Sequence, residues 1–269
     1  MSAGLFPLAR AALEAAHDDG RTLAFWWRDD DARRPTAPLM RLLALRRAAG
    51  VPLALAVIPD GVEAELAKTL ADEDSVAVLL HGWRHANHAS EGQKRAEFGD
   101  HRPISVMLDE AAAGHAALAG LFPGRFLPAF VPPWNRIGEG VRTGLAEAGA
   151  RGLSTFGRTT LAEPHRLNTH LDLMNWREAR GLAPAEADRL LAAEIDHRLN
   201  GGGDGEPIGL LSHHLQHDEA AWTLLDALLD FLAPQPEVVW PPVPALFDLP
   251  LTGGIGEAGT RADRSETKC

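Results

Sequence analysis

Apolar positions along this chain come in two textures. Short, nearly unbroken apolar runs alternate with longer stretches in which leucine and alanine recur among charged residues at helical spacing. The short runs at 22–28, 52–58, 75–80, 125–131, 152–156, 169–176 and 208–212 read as buried strands. The periodic stretches at 5–17, 36–49, 61–70, 105–121, 138–148, 184–199 and 219–232 read as helices. Punctuation agrees with the pattern. Gly50 stops the second helix, Pro59-Asp60-Gly61 stops one strand, and Pro132-Pro133 stops another. Residues 86–103 are polar and irregular, longer than a simple connection, and loops of that length are often functional. The glycines at 201–203 read as a surface turn, with no Gly-Lys-Ser/Thr to make a phosphate loop. No internal repeat or linker divides residues 1–251, which read as one domain. The tail, 252–269, lacks apolar periodicity and is expected to be disordered.

Alternating strand and helix implies an α/β fold with a mostly parallel sheet. Seven or eight such units in about 250 residues fit a (β/α) barrel better than an open sheet. In such a barrel the C-terminal strand ends share the face that carries the active site. Asp29-Asp30-Asp31 follow the first run, His81 the third, Pro132-Pro133-Trp134 the fourth and His213-His214 the last, so the polar residues converge on that face. Three adjacent carboxylates repel one another, and strand alternation turns at least one inward. Metal binding or proton transfer gives them a purpose.

Composition narrows the chemistry. The net charge of -11 argues against a nucleic-acid or anionic-membrane partner. With no tyrosine, a phenolic acid or base is excluded. The single cysteine is the last residue, Cys269, which rules out an internal disulfide and argues against a thiolate metal site. No stretch approaches the roughly 20 apolar residues of a membrane span, and no signal-peptide pattern opens the chain, so it reads as soluble and cytoplasmic.

His81-Gly82-Trp83-Arg84-His85 places two imidazoles four residues apart, which on one helical turn puts both on one face. Two histidines and an aspartate leave positions open for water and substrate, as in a catalytic rather than a structural metal site. A ligand set without sulfur suits Zn2+, and also Co2+, Ni2+, Mn2+ or Fe2+.

These segments resemble the polysaccharide deacetylases, carbohydrate esterase family 4. The family's aspartate pair, His-x-x-x-His, Arg-x-Pro-Tyr segment and late apolar run ending in histidine are matched by Asp29-Asp30-Asp31, His81 to His85, Val131-Pro132-Pro133-Trp134 and Leu210-Leu211-Ser212-His213, in the family's order. The resemblance implies a distorted (β/α) barrel of about seven parallel strands and a divalent metal, most often zinc. The implied reaction removes an acetyl group from a sugar. Asp30 would be the general base, Asp31, His81 and His85 the metal ligands, and His213 the general acid. Asp29 with Asp30 is the alternative register, and His214 the alternative to His213. Trp134, aligned on the family's tyrosine because proline has no backbone N–H, would supply an oxyanion donor. Pro133, Trp83 and Arg28 join it as substrate-side candidates; Trp26, Trp27, Asp172 and Trp176 could serve the pocket or simply pack.

Two departures stand out. Alanine follows the aspartates where the family has glycine, and Val131 occupies the position of the motif arginine, which in the family contacts the base. Arg28 or Arg136 could replace it. The function expected is a metal-dependent hydrolase of C–N or ester bonds, acting on a small acetylated carbohydrate or a related amide. Hydrolysis of a non-sugar amide, or a catalytically inactive carbohydrate-binding relative, are the alternatives. Oligomeric state is not legible in the sequence.

Overall fold

A computed structural model describes residues 4–158 and 165–252. The expected disordered tail lies outside the described residues from position 253 onward. The main strands are β1 (Leu23–Ala32), β2 (Leu53–Val57), β3 (Val76–His81), β4 (Phe126–Val131), β5 (Gly152–Leu153), β6 (Leu171–Asp172) and β9 (Ile208–Ser212). They lie in the order β5-β4-β3-β2-β1-β9-β6, each pair parallel. Two short strands, β7 (Met174–Asn175) and β8 (Arg180–Gly181), form a separate antiparallel pair, and β10 (Val238–Val239) runs beside the start of β1. The main sheet curls, and bridges from Leu153 to Arg166 and from Phe156 to Thr169 link its β5 side to the segment entering β6. The result is a distorted (β/α) barrel of seven main parallel strands.

Helices surround the sheet: α1 (Pro7–Asp18), α2 (Ala37–Ala49), α3 (Ala64–Ala71), α4 (Ile104–Leu121), α5 (Glu139–Gly144), α6 (Pro184–Leu199), α7 (Glu219–Leu232) and α8 (Val243–Phe247). Their ends follow local chemistry. The Thr36 hydroxyl accepts the Leu39 N–H to cap α2, which stops at Gly50 in the left-handed region (φ 67°). α1 has no local side-chain cap; its Leu8 and Ala9 N–H groups donate to the carboxylate of Asp188 on α6.

Strand alternation sorts the core into two layers. Phe25, Trp27, Leu53, Leu55, Val78 and Leu80 face outward against the helices. Trp26, Ala54, Ala56, Ala77, Leu79 and Ala129 fill the barrel interior, where α8 contributes Val243 and Phe247. The interior alanines leave room for one large ring. Trp26 takes it, with Phe247 edge-on at 5.9 Å and its own N–H donated to the Asn168 carbonyl.

Several boundaries differ from the sequence expectation. β1 does not end at the aspartates but carries them within the strand. The run at 169–176 is not one strand: it divides into β6 and β7, which pair with different partners. Only Gly152–Leu153 of the run at 152–156 is strand. β8, β10 and α8 were not foreseen, being too short to show periodicity.

Candidate metal and catalytic site

The site begins with a break in the pleat. Asp29 still pairs with Leu55 of β2 and Ser212 of β9, but the β2 register slips between Asp29 and Ala32, and Asp31 lies at φ 77°. In a regular strand Asp29 and Asp31 would share a face. This bulge turns Asp31 toward the same pocket as Asp30. Asp29 faces the other way and is fully buried. Its carboxylate accepts the Ser212 hydroxyl (2.6 Å) and the His214 backbone N–H (3.1 Å), and lies 2.5 Å from His214 Nδ1. The two alternative-register residues, Asp29 and His214, therefore partner each other and do not line the pocket.

Asp31, His81 and His85 offer one ligand atom each, all within 4.8 Å of one another. His81 closes β3, and its Nδ1 donates to the Val131 carbonyl at 3.0 Å. That bond leaves an Nε2 lone pair facing Asp31 Oδ1 at 3.1 Å. His85 Nε2 lies 3.3 Å from the same oxygen. Two imidazole nitrogens converging on one carboxylate oxygen form a donor set that fits a divalent cation. Burial opposes the ionised form of Asp31, but His81, His213 and His85 outweigh it and hold its pKa below the usual carboxylate range. Burial, helped by His81, lowers the pKa of His85. Burial also disfavours charge on His81, yet Asp30 and Asp31 prevail and raise its pKa.

The two histidines do not lie on a helical turn. Gly82, at φ 56°, turns the chain out of β3, and His85 is itself left-handed at φ 59°. The intervening loop wraps around the buried carboxylate of Glu97, which accepts N–H bonds from Trp83, Arg84 and Ala86 at 2.9–3.2 Å. A Cβ on Gly82 would sit 2.3 Å from Glu97 Oε2 and 2.5 Å from the Pro133 ring, so only glycine fits there. His85 then packs against Trp134, ring centroids 4.2 Å apart.

Asp30 is gripped by Arg28, two residues earlier on the same face of β1. The guanidinium forks onto both carboxylate oxygens (2.8 and 3.0 Å) and also donates to Ser154 Oγ and Asn135 Oδ1. Of the two arginines expected to reach Asp30, Arg28 does so, while Arg136 donates to the Arg95 carbonyl instead. On the other side of Asp30, His213 Nε2 lies 3.9 Å from Oδ2, and His213 Nδ1 lies 3.9 Å from Asp172 Oδ1. Asp172 accepts the Trp176 N–H at 2.7 Å, and Trp176 meets the His213 ring edge-on at 4.8 Å. Burial raises the Asp172 pKa against the pull of His213.

A cleft of about 1400 Å³ joins Asp30, Asp31, His81, His85 and His213 with Trp134, Phe156, Asp172 and Trp176. Trp83, Pro133 and Arg28, expected on the substrate side, are not among the residues that line it. Trp83 packs against the outer core, Pro133 is buried against Gly82, and Arg28 is fully buried beside Asp30. Trp26 and Trp27 are core residues. Glu97, Asn135, Ser154 and Phe156 were not foreseen. No local pattern marks them; Glu97, Asn135 and Ser154 join the site through contacts to other segments, and Phe156 lines the cleft.

His217 accepts the His213 N–H at 3.3 Å and packs edge-on against Trp222. Burial pushes its pKa down to about 4. Because the folded value is depressed, the stability His217 contributes is present above the ordinary imidazole value of about 6.5 and is lost as pH falls toward the folded value. An NMR titration should find the His217 ring neutral down to about pH 4. Protonation near pH 6.5 would show instead that the ring is solvated.

No helix among the described residues is long and apolar enough to cross a membrane. No family model matches the chain, and no curated protein sequence does. Solved structures do match. A family 4 carbohydrate esterase from Streptomyces lividans, in complex with acetate, aligns over 86% of this chain and 97% of its own, with 15% identity and a TM-score of 0.56. A mutant of the peptidoglycan deacetylase PdaC from Bacillus subtilis aligns over 84% of this chain and 91% of its own, with 14% identity and a TM-score of 0.55. A family 4 pseudoenzyme, in a mutant form with restored enzymatic activity, aligns over 84% and 68%, with 13% identity and a TM-score of 0.55. The likeness read in four short motifs thus extends along most of the chain, and the protein has the fold of the family 4 polysaccharide deacetylases, at 13–15% sequence identity.

Proposed function

We propose that this protein is a metal-dependent hydrolase that removes an acetyl group from an acetylated sugar or a related small amide. The observation that carries the reading is one pocket in which Asp31, His81 and His85 converge, with Asp30 and His213 at its edge. Zn2+ is the proposed ion, with Co2+, Ni2+, Mn2+ or Fe2+ able to suit the same donors. When bound, it would act as a Lewis acid toward the acetyl carbonyl.

The chain's own residues account for the proton transfers. Asp30 takes a proton from the attacking water, and the fork from Arg28 holds that carboxylate oriented. His213 gives a proton to the departing amine or alkoxide, so that water and substrate become the free sugar and acetate. Asp172 lies 3.9 Å from the far nitrogen of His213, on the side of the ring away from Asp30. The Trp134 backbone N–H is the proposed oxyanion donor. Trp134, Trp176 and Phe156 offer flat faces to a sugar ring; Trp176 is 51% exposed and Phe156 45%.

The test is acetate release from N-acetylglucosamine, its short oligomers, acetylated xylose and 4-nitrophenyl acetate, with and without a chelator. Release should stop on chelation and return with Zn2+ or Co2+. Release that survives chelation would remove the metal from the reaction. A metal-loaded chain inert toward every acetylated compound would favour the binding-only alternative.

A further inference from the structure

One wall of the cleft is cationic in a protein whose net charge is -11. Arg95 and Arg136 both line the pocket that holds Asp31, His81 and His85. Neither guanidinium meets a carboxylate among the described residues. Arg136 spends one donor, Nη1, on the Arg95 carbonyl at 2.7 Å, which ties the two pocket segments together. The acid closest in sequence to Arg95 on its C-terminal side, Glu97, is consumed by backbone N–H groups of the 82–86 loop. Asp172, the pocket carboxylate outside the metal set and the Arg28 fork, keeps company with His213 and Trp176 instead.

The segment that delivers Arg136 is strained. Trp134 and Asn135 are consecutive non-glycine residues in the left-handed region, at φ 56° and 57°. Such conformations persist where surrounding contacts over-determine them, and they cluster at ligand sites. Here Trp134 is held against His85, Asn135 accepts from Arg28, and the turn leaves Arg136 at the pocket. Some other arginines meet acids, as Arg41 does Glu219 and Arg102 does Glu110, and Arg21 and Arg33 donate to backbone carbonyls, but none of these four lines the cleft. Unpaired guanidinium groups at a pocket wall match the planar, doubly accepting oxygens of a phosphate or carboxylate. A negatively charged protein that binds an anion needs such a local reversal of field.

We propose that the cleft takes an acetylated sugar bearing an anionic group, a phosphate or a carboxylate, held by Arg95 and Arg136. The sugar part rests on the deacetylase reading; the anion part rests on the arginines alone.

The experiment measures binding to the full-length, zinc-loaded chain by calorimetry. The probes are N-acetylglucosamine, N-acetylglucosamine 6-phosphate and N-acetylmuramic acid, with acetate followed in parallel. At least one anionic sugar should bind about tenfold or more tighter than the neutral one. Which of the two does so distinguishes phosphate from carboxylate. The preference should shrink in high salt, and Arg95→Gln and Arg136→Gln should each remove most of it while leaving the neutral sugar's affinity unchanged. Equal binding of all three sugars overturns the proposal, as does a preference that both arginine variants retain. A preference lost in His85→Ala but kept in the arginine variants also overturns it, because the metal would then be holding the anion. Arginine-dependent preference without acetate release would sink the deacetylase reading and leave the anion site standing.

Discussion

Asp31→Ala and His81→Ala chains are expected to purify almost free of transition metal, whereas the natural chain should carry about one divalent ion. The effect is large because each substitution removes a ligand from the same small cluster. Asp31 Oδ1 faces both imidazoles, at 3.1 and 3.3 Å, so losing it takes away the charge that the two nitrogens share. Losing His81 removes the one ligand whose tautomer is fixed from behind, by the Val131 carbonyl. Loss of a partner behind a ligand already costs about 10–100-fold in metal affinity, and loss of the ligand itself should exceed that. Acidification should act on the same atoms. Asp30 and Asp31 overcome burial to raise the His81 pKa, so protons compete first at that ring, and the ion should be held less tightly as pH falls. Elemental analysis and a zinc-release assay check both outcomes. His214→Ala serves as the control, since that ring lies behind β1 against Asp29, and its metal content should match the natural chain. A metal-free natural chain that refuses loading would remove the basis for the site.

The parts of the molecule legible in its sequence are those in which local pattern and long-range packing agree. α6, β9 and α7 fall where apolar periodicity places them, because each buries one continuous stripe or run. The motif histidines were legible as a pair, but their geometry was not. Spacing of four suggests a helix; the left-handed Gly82 and the carboxylate of Glu97, many residues away, dictate a wrapped loop instead. The aspartate register was illegible for a related reason. Alternation alone cannot send Asp30 and Asp31 to one side, and nothing local announces the bulge that does so. The replacement for the missing motif arginine was visible only as two candidates. Arg28 shares a face with Asp30 by simple alternation, but its choice over Arg136 depends on Ser154 and Asn135, which belong to distant segments.

Alternation along β1 turns Asp29 and Asp30 to opposite faces, and paired substitutions should expose the division. Asp30→Asn should keep its metal and its fold, because the amide oxygen can still accept from Arg28, but it cannot take a proton. Loss of a general base costs about 10²–10⁴-fold in rate, so acetate release should fall by that order with metal content unchanged. Asp29→Asn should behave in the opposite way. Its carboxylate is fully buried and accepts the Ser212 hydroxyl and the His214 N–H, with the His214 ring beside it, so it ties β1 to the end of β9. Burial works against charge on His214, and Asp29 outweighs it to raise the ring's pKa. Without that carboxylate the ring reverts toward neutral, and the loss should be about 2–3 kcal/mol of stability, less than for an ion that cannot discharge. Denaturant unfolding reads that loss, and acetate release measured well below the midpoint should stay within about tenfold of the natural chain, because Asp29 does not line the cleft. If instead Asp29→Asn abolished turnover in a stable, metal-loaded chain while Asp30→Asn remained active, the base would be Asp29, and the bulge at Asp31 would have to be read as belonging to another state of the site.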